Sequence, residues 1–241
     1  MTQHPTGFAP QFNAEAQIRA HLIGAERQPL LVIDQALTNA EQMVAFAASE
    51  GRFGPPPRGS LYPGPNGVLP TSYLHGLRLA LQPLIEEVFQ IRYFNNFRCD
   101  GFLGLTTAQA ETLSVLQRTP HVDSHDQNTL AIIHYLCGPT FSGTAFYRHA
   151  TTGFEYIDQT RAQPYHSHLT DELKQRETMP KTFVGADTPF YQTVMSIEAV
   201  FNRLVVYRTT SLHCAVMGGA TLSEDPRIGR LTANVFIGNP G

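Results

Sequence analysis

Apolar positions recur at two spacings along the chain, and the change from one to the other sets the expected order of elements. Leu30–Asp34 is a short apolar run of strand length. Asn39 is placed to cap a helix reaching about Ser49, with Gln42 as the answering residue of a capping box and Gly51 as the stop. Leu77, Leu81, Leu84, Ile85 and Val88 fall on one side of a second helix, which Pro83 kinks or restarts, and they read as core. The period then shortens to two. Tyr93–Asp100, Leu113–Arg118, Leu130–Leu136, Thr144–Arg148, Leu204–Arg208 and Leu231–Ile237 are short, rich in β-branched and aromatic residues, and parted by turn residues. Between 151 and 199 one or two helical pieces are expected, around Thr170–Glu177 and Tyr191–Ala199, set in polar loop. Eleven of the twenty residues Gly51–Pro70 are Gly or Pro, which predicts an irregular loop suited to covering a site. Residues 1–27 are polar and weakly patterned, an arm that orders only against the body.

Helices first and strands afterwards predict an α+β, mainly β fold, a β-sandwich or open barrel resting on N-terminal helices, as one domain over 1–241. Composition agrees: 42% hydrophobic residues suffice for a core, while 17 Pro and 19 Gly suit many turns. A net charge of −3 without any Lys/Arg run argues against a nucleic-acid partner. No apolar stretch is long enough to span a bilayer and no leader is recognisable, so no membrane partner is expected. Three scattered cysteines without a CxxC pair fit a reduced, cytoplasmic setting. Nothing in the sequence sets the oligomeric state.

The densest polar cluster is Pro120-His121-Val-Asp123-Ser-His125-Asp126. On a strand, side chains alternate, so His121 and Asp123 share a face. An imidazole beside a carboxylate offers two ligands to a divalent metal, and a second His from elsewhere completes a facial triad with open positions. His-x-Asp alone is a weak signal. Two later features strengthen it. The apolar run Leu204–Arg208 leads to His213, and Arg230–Ile237 alternates so that Arg230, Thr232 and Asn234 share one face opposite Leu231, Ala233 and Val235. Turned inward, such a polar row is costly to bury without an anionic or polar ligand. Other histidines read blandly: His125 in a turn, His134 on the opposite face, packed or at the surface, and His149, His166 and His168 away from any metal. Cys214 points away from His213 and makes a poor nucleophile–base pair. The Gly138–Gly143–Thr144 spacing imitates a phosphate loop but lacks its Lys.

Taken in order, His121-Val-Asp123, His134-Tyr135-Leu136, Ser142-Gly143-Thr144-Ala-Phe146, His213 and Arg230-Leu-Thr232 resemble the 2-oxoglutarate/Fe(II) dioxygenase superfamily, in particular its prolyl-4-hydroxylase-like branch. The resemblance spans about Asn95 to Gly238 and treats 151–199 as an insertion, a candidate substrate lid. It implies a double-stranded β-helix (jelly-roll, cupin-like) core, with Fe(II) on His121, Asp123 and His213 and 2-oxoglutarate as co-substrate. It further implies Arg230 as partner of the distal carboxylate, assisted by Thr232 and Tyr135, and a small-molecule or peptide substrate that is hydroxylated. A guanidinium grips a carboxylate through two parallel hydrogen bonds, which suits Arg to that role. His213 and Arg230 lie 17 positions apart, wider than usual in the family, and Arg227 is the competing partner. Two other readings stay open: a silent binding module on the same fold, and a cupin-like metalloenzyme that does not use 2-oxoglutarate.

Overall fold

A computed structural model describes residues 8–92, 97–185, 188–217, 219 and 221–238. Among the described residues the elements are mainly antiparallel strands, with three α-helices. The larger sheet contains β1 (Gln17–Ile23), β2 (Gln28–Asp34), β3 (Asn66–Gly67), β4 (Arg98–Thr106), β5 (Leu130–Tyr135), β8 (Arg203–Arg208) and β10 (Arg230–Gly238). Its spatial order is β1-β2-β8-β5-β10-β4-β3. The smaller sheet orders β7 (Tyr191–Glu198), β6 (Gly143–His149) and β9 (His213–Val216) as β7-β6-β9. An isolated bridge from His121 to His213 adds a fourth, one-residue rung beside β9. From β4 onward the chain therefore alternates between sheets: β4 in the larger, the His121 rung in the smaller, β5 larger, β6 and β7 smaller, β8 larger, β9 smaller, β10 larger.

Strand alternation gives the larger sheet two buried faces. Leu31, Ile33, Leu103, Leu105, Leu130, Ile132, Leu204, Val206, Leu231, Ala233, Val235 and Ile237 pack on α1 (Ala40–Glu50) and α2 (Thr71–Phe89). From α2 come Tyr73, Leu77, Leu81, Ile85 and Phe89, every fourth residue and hence one stripe. The opposite face supplies Leu30, Val32, Ala131, Tyr135, Val205 and Tyr207, which meet Phe146 and Ile197 of the smaller sheet. Helices, large sheet and small sheet thus form three layers. The expected row on β10 is present: Leu231, Ala233 and Val235 face the helices, leaving Arg230, Thr232 and Asn234 on the side of the small sheet. Among the described residues no helix is long and apolar enough to cross a membrane.

Several local expectations change. Leu113–Arg118 holds one 3₁₀ turn, Leu116–Arg118, instead of a strand, because Ser114 and Gln117 hydrogen-bond each other (Ser114 N–H and Oγ to Gln117 Oε1, 2.9 and 3.0 Å) and satisfy the backbone locally. Tyr191–Ala199 is a strand rather than a helix, held by its ladder to β6. Asn39 precedes α1 but does not cap it: Oδ1 accepts from Gln11 N–H while Nδ2 donates to Ala9 O and Gln42 Oε1. The N-terminal segment contributes β1, paired along its length with β2. The Tyr93–Asp100 strand begins instead at Arg98, and its residues 93–96 lie outside the described residues. Within 151–199 the main helix is longer than expected, α3 (Gln159–Glu177), capped by Asp158 through Thr160 N–H and Arg161 N–H.

Candidate metal centre

The bridge that places His121 opposite His213 is reciprocal, each N–H donating to the other's carbonyl at 2.9 Å. Directly opposed residues project to the same side of a sheet, so the two rings meet with centroids 4.7 Å apart. Asp123, two positions from His121, returns to that face, its N–H held by Thr209 O at 2.9 Å. Its carboxylate lies 3.9 Å from His121 Nε2 and 3.6 Å from His213 Nε2. One ligand atom from each of the three side chains falls within 4.8 Å of the others, the only such His/Cys/Asp/Glu group among the described residues.

Each imidazole is fixed from behind. His121 Nδ1 donates to Thr119 O (3.3 Å) and His213 Nδ1 donates to Ser211 O (3.0 Å). In both cases Nε2 is left facing the carboxylate, the arrangement that orients metal-binding histidines. Tyr207 and Phe146 pack on the His213 ring at 4.8 and 6.4 Å. Burial lowers the His213 pKa and keeps that ring neutral, fit for coordination. Burial also pulls the His121 pKa down, but Cys214 and Asp123 outweigh it and hold it up at about 9. A cation entering the cluster displaces that proton. Two neutral imidazoles with one carboxylate suit a borderline divalent ion such as Fe(II).

These residues open onto a cavity of about 420 Å³. Arg230 lies in its wall, 3% exposed. Its Nη2 donates to Gly143 O at 3.0 Å and its Nη1 makes a long contact of 3.5 Å to Thr106 Oγ1. Its Nε, also buried, has no partner, and no carboxylate among the described residues lies within ion-pair distance of the guanidinium. On β6, Gly143 is three residues from Phe146, which faces His213. At ~3.3 Å per residue, the cation lies roughly 10 Å along the sheet from the imidazole pair. Arg227 is exposed and pairs with Asp225 at 3.2 Å, outside the cavity.

Thr232 lines the cavity, accepting from Asn234 Nδ2 at 3.0 Å. Tyr135 does not line it: its hydroxyl bonds Thr144 Oγ1 at 2.6 Å, and Thr144 takes the place in the wall. Thr106, Thr144 and Tyr62 also line the cavity, a role that no local sequence pattern marks for them. Tyr62 comes from the Gly/Pro loop and its hydroxyl meets Thr106 Oγ1 at 3.2 Å and Thr232 Oγ1 at 3.4 Å. A Cβ on Gly104 would lie 2.4 Å from the Tyr62 ring, so the missing side chain makes room for it. The remaining wall is largely apolar, with Leu61, Phe102, Ile133, Phe183 and Val184. The other histidines stand apart from the metal cluster. His134 is buried between Tyr73 OH and Asn202 Oδ1 (3.0 and 3.2 Å), His149 pairs with Glu172 at 2.8 Å, and His125 Nδ1 bonds Ile157 O.

Residues 14–237 match the model of a family of unknown function, DUF6445, and the chain belongs to that family. No curated protein matches it. Among solved structures it is similar to HygX from Streptomyces hygroscopicus with nickel, 2-oxoglutarate and hygromycin B bound, at 12% identity and TM-score 0.42, over 87% of this chain and 82% of that one. HygX with iron bound gives 14% and 0.44 over the same shares. EvdMO1 gives 10% and 0.41, over 95% of this chain and 56% of that one.

Proposed function

We propose that this chain is an Fe(II)- and 2-oxoglutarate-dependent oxygenase that hydroxylates a C–H bond of a small molecule or peptide, releasing succinate and CO₂. The observation that carries the reading is Arg230: a buried guanidinium with an unpartnered Nε, one short step along the sheet from a His/Asp/His cluster. Burying a charge without a counter-charge is costly, and a dicarboxylate reaching from the cluster to Arg230 removes that cost. A metalloenzyme with the same ligands but no 2-oxoglutarate leaves this cation unexplained. In this reading the alternation of strands between two sheets corresponds to the winding of a double-stranded β-helix, taken as a single domain over 1–241. Its setting in this reading is the reducing cytoplasm, consistent with three free cysteines.

Iron would be held by Nε2 of His121, Nε2 of His213 and an Asp123 oxygen, and with 2-oxoglutarate bound it supplies the activation of O₂. The chain's own groups do the rest. Thr119 O and Ser211 O hold the two imidazoles in one tautomer and direction. Arg230 binds the far carboxylate, and the Thr232, Thr106 and Tyr62 hydroxyls donate to its remaining lone pairs. Tyr135 acts through Thr144 by fixing its hydroxyl. Phe102, Leu61 and Phe183 keep water from the space where substrate lies.

The direct test is succinate release by purified protein given Fe(II), ascorbate and 2-oxoglutarate, across peptides and small metabolites. Turnover that disappears in His213→Ala and Arg230→Ala supports the assignment. Tight metal binding with no 2-oxoglutarate consumption, and none bound, overturns it.

A further inference from the structure

Among its described residues, the segment between β6 and β7 contributes only Phe183 and Val184 to the cavity wall. Its backbone and one arginine instead bond to the residues that carry, or flank, the two carbonyls orienting the metal-binding rings. On the His213 side, Leu212 N–H donates to Glu155 O (2.9 Å) and Ile157 N–H to Thr210 O (2.8 Å), clasping Ser211 between them in a bridge to Tyr156. On the His121 side the contact comes from Arg176, in the last turn of α3 and 5% exposed. Arg176 Nε donates to Thr119 Oγ1 at 3.0 Å and Nη1 to Pro189 O at 3.1 Å, while Nη2 donates to Arg118 O. Arg118 answers through Nη2 to Arg176 O at 2.8 Å. Thr119 is the residue whose carbonyl accepts from His121 Nδ1.

We infer that Arg176 is a positioning residue of the metal centre, holding Thr119 so that its carbonyl aims the His121 imidazole. The inference rests on the metal-binding reading above. A buried guanidinium used for helix docking alone needs only acceptors of some kind; this one directs Nε and Nη2 to residues 119 and 118, two and three positions before a ligand, and only Nη1 elsewhere. Because the planar fork serves several acceptors in fixed directions, Lys cannot replace it at full effect. Groups that hydrogen-bond a ligand directly, as Thr119 O does, influence metal affinity by about 10- to 100-fold, and Arg176 acts on that bond through Thr119.

The test uses the full chain and Co(II), whose visible spectrum reports ligand geometry without catalysis. Arg176→Gln should weaken Co(II) about 10-fold or more and change the ligand-field bands, with Arg176→Lys intermediate. Glu172→Gln is the control, since it loosens the same helix by disturbing the His149 pair and leaves Thr119 untouched. If Arg176→Gln lowers Tm but keeps wild-type Co(II) affinity and spectrum, or if Glu172→Gln alters the spectrum equally, the positioning role is refuted. Should Arg176→Gln fail to fold, Thr119→Val removes the acceptor hydroxyl and keeps the carbonyl; an unchanged spectrum there refutes the role as well. Wild-type protein that takes up no Co(II) overturns the metal-centre reading itself and this inference with it.

Discussion

Replacing Arg230 by Met is expected to move stability and co-substrate affinity in opposite directions. The guanidinium is 3% exposed, with one good hydrogen bond, one long contact and an unpartnered Nε. Without ligand it is a poorly compensated buried charge, and exchanging such a group for an apolar side chain of similar volume is commonly neutral to stabilising by ~1–4 kcal/mol. Binding reverses the balance. A hydrogen bond to a charged group contributes about 1.5–3 kcal/mol, so losing a bidentate pair to a carboxylate costs at least ~3 kcal/mol, or roughly 100-fold in Kd. Two measurements on Ni(II)-loaded protein follow, urea unfolding and unfolding with added 2-oxoglutarate. At a ligand concentration 100 times the wild-type Kd, 2-oxoglutarate should stabilise wild type by about 2.7 kcal/mol and the variant by only about 0.4 kcal/mol. A ligand-free variant that is less stable by more than ~1 kcal/mol, with the stabilisation by 2-oxoglutarate intact, would refute the reasoning.

Other outcomes follow from the same geometry. Asp123→Ala and His213→Ala should abolish Ni(II) or Co(II) binding in calorimetry while leaving far-ultraviolet circular dichroism unchanged. Gly104→Ala puts a methyl group where the Tyr62 ring lies; 2-oxoglutarate should bind several-fold more weakly while metal affinity holds, and equal affinity would remove Tyr62 from the co-substrate site. His134, fully buried, has its pKa lowered to about 4 by burial. The folded state therefore resists the proton that the unfolded chain accepts below about 6.5, and stability falls as pH drops from there to about 4, by roughly 3 kcal/mol. His134→Gln should lose correspondingly less over that range in urea titrations at stepped pH, whatever its stability at pH 7.5.

Much of the site could be read from sequence because its signals are local. His121 and Asp123 are two apart, and the Arg230–Val235 alternation shows which side chains share a face. Both depend only on strand period. His213 and Arg230 are 17 positions apart, in β9 and β10, and their side chains still meet one cavity. What the sequence hid depends on distant partners. Residues 191–198 carry no decisive period of their own, and pairing with β6 makes them a strand. β1 is an edge strand with Ile18 and Leu22 exposed, so its alternation does not separate inside from outside. Tyr62 enters the cavity from a loop whose course no propensity describes. Arg176 is 57 positions from Thr119 and reads as an ordinary basic residue ending a helix.

The rung at His121 is a single bridge, in contrast to the four-residue ladder joining β9 to β6. Backbone bonding alone gives this seam little resistance to opening. An ion gripping both rings would close it like a rivet, so the same event that readies the pocket would also shut the rim of the smaller sheet. In such an arrangement a cell short of metal would hold an enzyme that is idle and also easier for proteases to enter at one edge.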